Sequence, residues 1–149
     1  MQRTFIDLDD EIITEHHKRT GEKLSCREIM KLHGEDFFRK IEHEVLQDVL
    51  LAKGLVVLAL GGGTPMIEEN RKLLQEHINI HITAPKSIVF ERIMINGKPA
   101  FFPKDNEPFD TFQKLWKERE PVFQSLATFT VENTGTVDQA VENILTQLK

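Results

Sequence analysis

The stretch VVLALGGGTP, residues 56–65, contains the pattern that decides the fold. Its apolar residues show no polar alternation, and they stop at the glycines Gly61, Gly62 and Gly63. A short, β-rich apolar run bounded by glycines is typical of a strand covered on both faces in a parallel sheet. Because ligands of such sheets bind beyond the carboxyl ends of the strands, this sequence predicts a ligand site at the glycines.

Composition restricts the class of protein. The 149 residues suit one domain that can bury a core, and the hydrophobic (40%) and charged (29%) fractions are those of a globular protein. A net charge of −5 gives no reason to expect nucleic acid binding. No apolar run approaches the roughly 20 residues of a membrane helix, and the amino terminus has no signal-peptide pattern. The single cysteine, Cys26, excludes an internal disulfide, so we expect a cytoplasmic protein.

Outward from residues 56–65, strand and helix patterns alternate along the chain. We predict strands over 4–9, 56–60, 78–83 and 128–132, and helices over 10–20, 26–34, 36–52, 67–76, 86–95, 109–120 and 137–149. Ser25 and Glu28 fit a capping box, and Pro121 is expected to end the helix before it. The third helix should bury a stripe of apolar residues: Phe38, Ile41, Val45 and Val49. The alternation predicts an α/β fold with a parallel sheet.

Four segments in register resemble motifs of the shikimate kinase family. They are FIDLD (5–9) for F-x-D-x-D, GEDFFRKIE (34–42) for G-E-x-x-F-R-x-x-E, VLALGGG (57–63) for the second strand and its glycines, and REPVF (119–123) for R-x-P-x-Y/F. The resemblance covers nearly the whole chain. It implies a three-layer, parallel-sheet fold of the P-loop-kinase type. It also implies transfer of phosphate from ATP, with Mg²⁺, to the 3-hydroxyl of shikimate in aromatic amino-acid (chorismate) biosynthesis.

The resemblance also assigns roles to individual residues. A carboxylate ligand suits the fixed fork of a guanidinium group, and by resemblance Arg39 and Arg119 hold the carboxylate of shikimate. Asp9 contacts the hydroxyl that accepts phosphate, and Asp7 serves the catalytic and magnesium region indirectly. The three glycines line the floor of the pocket, where backbone N–H groups approach the ring without an intervening Cβ. Glu42 is expected to orient Arg39 across an i, i+3 contact.

The ATP half of this predicted site is not found in these 149 residues. They contain no P-loop, G-x-x-x-x-G-K-[ST], and the only Gly-Lys pair is Gly97-Lys98. That pair lies in the polar, proline-rich segment 96–108, which we predict to be a mobile loop and, by resemblance, the lid over ATP. The family usually has arginine where this chain has Lys98. Lysine keeps the charge and loses the bidentate fork, so we expect weaker clamping of phosphates.

In the family, the P-loop segment also supplies the central strand and the first helix. Without that strand, two inner edges of the sheet would have unpaired backbone groups. Either those edges close on each other, or something else fills the gap, or the chain folds poorly alone. The simplest explanation is a fragment that is inactive alone and binds ATP poorly, with Met1 an internal residue or a miscalled start. Separately, we expect a monomer. The alternative is a family member without ATP chemistry, that is, a shikimate-binding or regulatory protein. A kinase of another hydroxy acid, such as gluconate, is a third interpretation.

Plainer roles compete for the same residues. The glycines could form only a tight strand-to-helix turn, and Asp7 and Asp9 could cap the following helix. Arg39 and Glu42 could form a surface ion pair, and the side chain of Arg119 could pack on Trp116. Phe109, Phe112 and Trp116 are predicted to form a core stripe, with Phe101 and Phe102 a lid contact.

The histidines and the cysteine receive structural roles. The six histidines lack metal-site spacing, and we predict them to be surface or helix-face residues. Cys26 stands at a helix N-terminus, a position that can lower a thiol pKa, but no catalytic partner can be placed beside it. We predict it to be structural.

Overall fold

The computed structural model describes residues 3–52, 54–95, 97–99, 102–104 and 107–149. The chain forms two compact units, Met1–Leu73 and Leu74–Lys149, and each is described by itself. That all 149 residues act as one domain stays a prediction.

The first unit contains a pair of parallel strands, three longer helices and a short fourth one. Its elements are β1 (Thr4–Asp7), α1 (Leu8–Thr20), α2 (Cys26–His33), α3 (Glu35–Leu51), β2 (Val56–Ala59), a 3-10 turn (Thr64–Met66) and α4 (Glu68–Leu74). Strands β1 and β2 are parallel, in a register from Thr4 opposite Val56 to Asp7 opposite Ala59. Both strands therefore end at the same edge of the sheet, and the predicted site residues follow directly after them.

Helix α1 begins two residues earlier than predicted. The strand ends at Asp7, which is the N-cap of α1 and accepts a hydrogen bond from the backbone N of Asp9 at 2.9 Å. Leu8 is completely buried in the first turn. The apolar–acidic alternation continues past Asp7, but burial of Leu8 and the cap at Asp7 favour the helix over further strand.

The core of the first unit forms around α3. Its buried stripe contains Phe38, Ile41, Val45 and Val49, as predicted. Both α1 and α2 pack against this helix, and they contribute Leu8, Ile12 and Ile29 as fully buried side chains. The capping box of Ser25 and Glu28 opens α2, which is also as predicted. The rigid α3 positions the next charged residues along its length, Arg39 and Glu42.

The second unit has the same kind of parallel pairing. Its elements are β3 (Ile80–Thr83), α5 (Lys86–Met94), α6 (Pro108–Leu126), β4 (Phe129–Glu132) and α7 (Val137–Gln147). Strands β3 and β4 are parallel, from Ile80 opposite Phe129 to Thr83 opposite Glu132. The predicted α/β class with parallel strands is confirmed.

Pro121 does not end α6, contrary to the prediction. The helix continues through it to Leu126. Proline removes one helical hydrogen bond, but it does not stop a helix whose later residues are packed. Phe123, beyond the proline, packs on the ring of His81 in β3 with centroids 5.5 Å apart. The residues beyond Pro121 thus remain helical and in contact with β3.

Aromatic residues hold α6 to α5, but the prediction of a core stripe is wrong for Phe109, which lies in the first turn of α6 and is 43% exposed. Phe112 is buried and lies 5.3 Å from the ring of Phe90 and 5.7 Å from that of Trp116. Phe109 meets Phe90 edge to face at 5.2 Å. Phe102 is buried, whereas Phe101 lies outside the described residues. Within the described ranges, no helix combines the length and the apolar character needed to cross a membrane.

Candidate functional site

A buried carboxylate fixes Arg39 in the first unit. Arg39 Nη1 donates to Glu42 Oε1 at 2.8 Å, and the Glu42 side chain is 2% exposed. The second carboxylate oxygen, Glu42 Oε2, accepts a hydrogen bond from Thr64 Oγ1 at 2.7 Å. Both oxygens of Glu42 are thus occupied, and the predicted orientation of Arg39 by Glu42 is confirmed. This is a buried network and not the surface ion pair of the plainer interpretation.

Gly63 makes room for the guanidinium of Arg39. A Cβ placed on Gly63 would lie 2.6 Å from Arg39 Nη1 and 2.7 Å from Arg39 Cζ, closer than atoms can approach. The φ of Gly63 is −87°, a value that any residue adopts. Glycine is therefore needed here for space and not for a left-handed backbone.

The carboxylate of Asp9 lies beside the same glycines. A Cβ on Gly61 would be 3.6 Å from Asp9 Oδ1 and 3.6 Å from Thr64 Oγ1, which is ordinary contact distance. Partial burial, followed by the negative charges of Asp7 and Glu42, raises the pKa of Asp9 above its usual value. Asp9 therefore holds a proton more readily than an isolated aspartate. The structure brings Asp9, Arg39 and the glycines together in one unit.

Asn70 and His43 also support this network, and neither was predicted to belong to the site. Asn70 is completely buried; its Nδ2 donates to the carbonyl oxygen of Thr64 at 3.0 Å. Its Oδ1 lies 2.6 Å from His43 Nδ1, on the turn of α3 that follows Glu42. Thr64 follows the glycines in sequence, but only the folded structure places it over Glu42. The turn after β2 is thereby tied to α3 at two points.

The surroundings of Cys26 oppose the lowering of its pKa that a helix N-terminus can cause. Its thiol is half-buried, and its Sγ donates to the backbone oxygen of Asp9 at 3.6 Å. Burial, followed by the charges of Asp9, Glu42 and Asp7, raises the pKa of Cys26 to about 12, although the residue opens a helix. Desolvation and three carboxylates outweigh the helix dipole. A thiol in that state is inert, in agreement with a structural role.

The prediction that the histidines are surface or helix-face residues is wrong for His81, which lies in the strand β3 with a side chain that is only 10% exposed. His16 does lie on a helix, α1, but its side chain is fully buried. Histidine tolerates either environment because its neutral ring is half apolar, so composition alone does not predict its burial.

The remaining predicted site residues belong to the second unit. Arg119 lies on α6 and is half-buried. Lys98 Nζ donates to the carbonyl oxygen of Lys104 at 3.3 Å, inside the predicted lid. Part of that lid, including residues 96, 100–101 and 105–106, lies outside the described residues. The roles of Arg119 and Lys98 stay predictions.

Comparison with known proteins decides the family. The family model described as shikimate kinase matches residues 1–149. The chain belongs to the shikimate kinase family. A shikimate kinase of Francisella tularensis subsp. holarctica is 36% identical over 147 residues, which cover 97% of this chain and 79% of that protein. A shikimate kinase of Flavobacterium johnsoniae is 31% identical over 149 residues, covering 97% of this chain and 83% of that protein.

Solved shikimate kinases also have this fold. The shikimate kinase of Acinetobacter baumannii, in complex with shikimate, aligns with a TM-score of 0.81 at 28% identity, over 98% of this chain and 79% of that one. The enzyme of Aquifex aeolicus aligns with a TM-score of 0.78 at 30% identity, over 98% of this chain and 81% of that one. These likenesses confirm the predicted fold class.

The carboxylates present suit the Mg²⁺ that accompanies ATP in kinases. Asp7 is the last residue of β1, Asp9 lies in the first turn of α1, and the charge of Asp7 contributes to the raised pKa of Asp9. A hard divalent cation prefers carboxylate oxygens and would relieve this repulsion. The donor type therefore fits magnesium at this edge of the sheet.

Proposed function

We propose that this chain binds shikimate and forms the acceptor half of a shikimate kinase site. The observation that carries the proposal is the buried Glu42, which holds Arg39 against Gly63 while Thr64 occupies its other oxygen. A guanidinium fixed in this way loses little conformational entropy when it pairs with a ligand carboxylate. The similar shikimate kinase of Acinetobacter baumannii, which was solved in complex with shikimate, supports this ligand.

Each predicted residue has a chemical role in this proposal. Arg39 binds the carboxylate of shikimate, and Arg119 of the second unit is proposed as a further carboxylate ligand. Asp9 accepts a hydrogen bond from the hydroxyl that receives phosphate, and its raised pKa favours taking up the proton of that hydroxyl. The backbone at Gly61, Gly62 and Gly63 lines the ring. Magnesium, held near Asp7, would neutralise charge on the phosphates of ATP.

Transfer of phosphate from ATP requires a nucleotide site in addition. Backbone N–H groups and a lysine of a P-loop serve that purpose in kinases of this type, and the 149 residues contain no such motif. Lys98 is the candidate lid residue for the phosphates. We propose that these 149 residues alone bind shikimate without transferring phosphate.

A non-catalytic role is the second candidate, and the same sequence observation favours it. A chain that binds shikimate without an ATP site would act as a shikimate-binding or regulatory protein. The two candidates differ in one measurable property, which is shikimate-dependent release of ADP by the protein isolated from its native cells.

Calorimetric titration of the 149-residue chain with shikimate, with and without MgATP, tests the proposal. We expect saturable binding by the wild type and binding weaker by about tenfold or more in Arg39→Lys, because lysine cannot form the bidentate pair. Arg27→Lys, an exposed substitution on the neighbouring helix α2, is the matched control and should bind as the wild type does. Absence of shikimate binding by a folded wild type would refute the proposal. Release of ADP by these 149 residues would show that they do transfer phosphate, contrary to what we propose.

A further inference from the structure

Three potential metal-binding residues lie close together in the first unit, and none of them belongs to the Arg39–Glu42 pair. They are His16 on α1, Glu22 in the connection to α2, and His33 at the end of α2. Each residue offers one ligand atom, and these three atoms lie within 4.8 Å of one another. Glu22 Oε2 is 3.3 Å from His33 Nε2 and 3.8 Å from His16 Nε2. The shikimate site uses none of these side chains.

His16 provides an independent indication of a missing ligand. It is completely buried, and among the described residues its Nε2 has no hydrogen-bond partner. A buried polar atom without a partner is costly, and nearly all such atoms in native proteins are satisfied. Its distance to Glu22 Oε2 is 3.8 Å, which is too long for a hydrogen bond. A group that lies between them would satisfy both.

Thr20 fixes which nitrogen of His16 is free to bind. Thr20 Oγ1 donates its one proton to the carbonyl oxygen of His16 at 2.9 Å and accepts the backbone N–H of Glu22 at 3.1 Å. Toward His16 Nδ1, 3.4 Å away, the hydroxyl can only accept, so Nδ1 carries the hydrogen. The lone pair of the neutral ring is then on Nε2. Such an orienting hydrogen bond on the opposite nitrogen is usual for histidines that bind metals.

The spacing of the three atoms fits a small tetrahedral ion. With bonds of about 2.0–2.2 Å, neighbouring ligand atoms of tetrahedral zinc stand roughly 3.3–3.5 Å apart. The pair of Glu22 and His33 already has this separation, and the other pairs need to close by small side-chain rotations. Phe37 covers one side, with its ring 4.7 Å from that of His33 and 6.1 Å from that of His16. The Glu22 side chain is 44% exposed, so water can supply a fourth ligand on the open side.

We propose that His16, Glu22 and His33 bind one Zn²⁺ ion. Two imidazoles and one carboxylate suit zinc, whereas magnesium prefers oxygen ligands alone. The ion would tie the end of α1 to the end of α2. Gly34 separates α2 from α3, which carries Arg39. The site is therefore structural, and it is independent of the proposal that the chain binds shikimate.

Titration of the tag-free, chelator-treated 149-residue chain with ZnCl₂ tests the site, with binding measured by calorimetry and melting temperature by circular dichroism. We expect one Zn²⁺ per chain, a higher melting temperature with zinc, and no such effect of MgCl₂. The variants His33→Gln and Glu22→Gln should each weaken zinc binding by about tenfold or more, since loss of even an outer-shell partner has an effect of that size. His17→Gln, an exposed neighbour outside the cluster, should bind zinc as the wild type does.

Visible absorption of the Co²⁺-substituted chain provides a second measurement. The intense bands of tetrahedral Co²⁺ should be present in the wild type and in His17→Gln and absent from His33→Gln. Failure of the folded wild type to bind zinc would overturn the proposal and indicate that a water molecule satisfies His16. Unchanged affinity in both His33→Gln and Glu22→Gln would also overturn it, because the ion would then bind elsewhere. Since both residues are partly exposed, at least one of these variants should fold.

Discussion

The space above Gly63 controls the position of one guanidinium group. We predict that Gly63→Ala displaces Arg39 and weakens shikimate binding by about tenfold or more, because a Cβ there would overlap the guanidinium. The effect on stability should be small, since the end of a flexible side chain can move. A double-mutant cycle with Arg39→Ala, followed by calorimetry with shikimate, measures this. If Gly63 acts through Arg39, then adding Gly63→Ala to Arg39→Ala has no further effect.

The raised pKa of Asp9 makes a prediction about stability and pH. Because the folded state binds this proton more tightly than the unfolded state, stability is greatest below the ordinary pKa of 3.8 and falls as pH rises through the raised value. Asp9→Asn has no ionisable carboxyl at this position, so it does not undergo this fall in stability. We therefore expect a small rise in melting temperature at pH 7 relative to the wild type, and the rise should vanish near pH 3.5.

Asp10→Asn is the control for this measurement. It removes another carboxylate from the first turn of the same helix, so both variants lose a similar favourable interaction with the helix dipole. The comparison isolates the burial and repulsion that act on Asp9. A melting temperature of Asp9→Asn below that of Asp10→Asn at pH 7 would contradict the prediction.

Much of the site in the first unit followed from local spacing, and the rest depends on tertiary contacts. The pairing of Arg39 with Glu42 follows from their i, i+3 separation, which places both on one face of a helix. Thr64 meets Glu42 only because the 3-10 turn after β2 packs against α3. Cys26 shows the same limit, since its helix position predicts a lower pKa while its buried surroundings among carboxylates produce a higher one. Burial and contacts between residues that are distant in sequence determine both cases.

At the scale of elements, helix α2 depends on its cap. Ser25 Oγ accepts the backbone N–H of Glu28 at 3.3 Å, and Glu28 Oε2 accepts the backbone N–H of Ser25 at 2.8 Å. We predict that Ser25→Ala lowers the free energy of unfolding by about 1 kcal/mol, the usual effect of losing such a cap. Urea denaturation followed by circular dichroism measures it. Ser87→Ala, in α5, lacks a capping role and should change the value little.

Element boundaries were predictable where a local signal decides them. The capping box at Ser25 and the apolar stripe of α3 are local, and both predictions are confirmed. Leu8 and Pro121 were predicted wrongly for one reason: in each case packing of the flanking residues outweighs a residue preference. Leu8 is buried in a helix although its neighbours show a strand pattern. The helix continues past Pro121, and Phe123 beyond it contacts His81.

At the scale of the whole molecule, the described residues form two parallel sheets of two strands each. Some large apolar side chains of these strands are exposed. Phe5 and Val57 stand opposite each other in β1 and β2, and they are 66% and 50% exposed. An exposed apolar pair on short strands favours association between chains. We predict that the double variant Phe5→Thr, Val57→Thr associates less than the wild type at equal concentration.

Static light scattering over a range of concentrations measures this association. Leu32→Thr, at a position on α2 that is 63% exposed, is the control for removing exposed apolar surface outside the sheet. If the control reduces scattering as much as the strand variant does, general hydrophobicity and not the sheet face is responsible.

The register of β1 with β2 has a consequence for how the chain acquires its structure. Thr4 pairs with Val56, and the helices α1, α2 and α3 lie between them. Contacts between residues so distant in sequence form slowly, while helices form quickly from local contacts. During synthesis the first strand leaves the ribosome long before its partner exists. We expect Asp9 to meet Gly61 only in the last step of folding, so a pulse of hydrogen exchange during refolding should protect α3 before either strand.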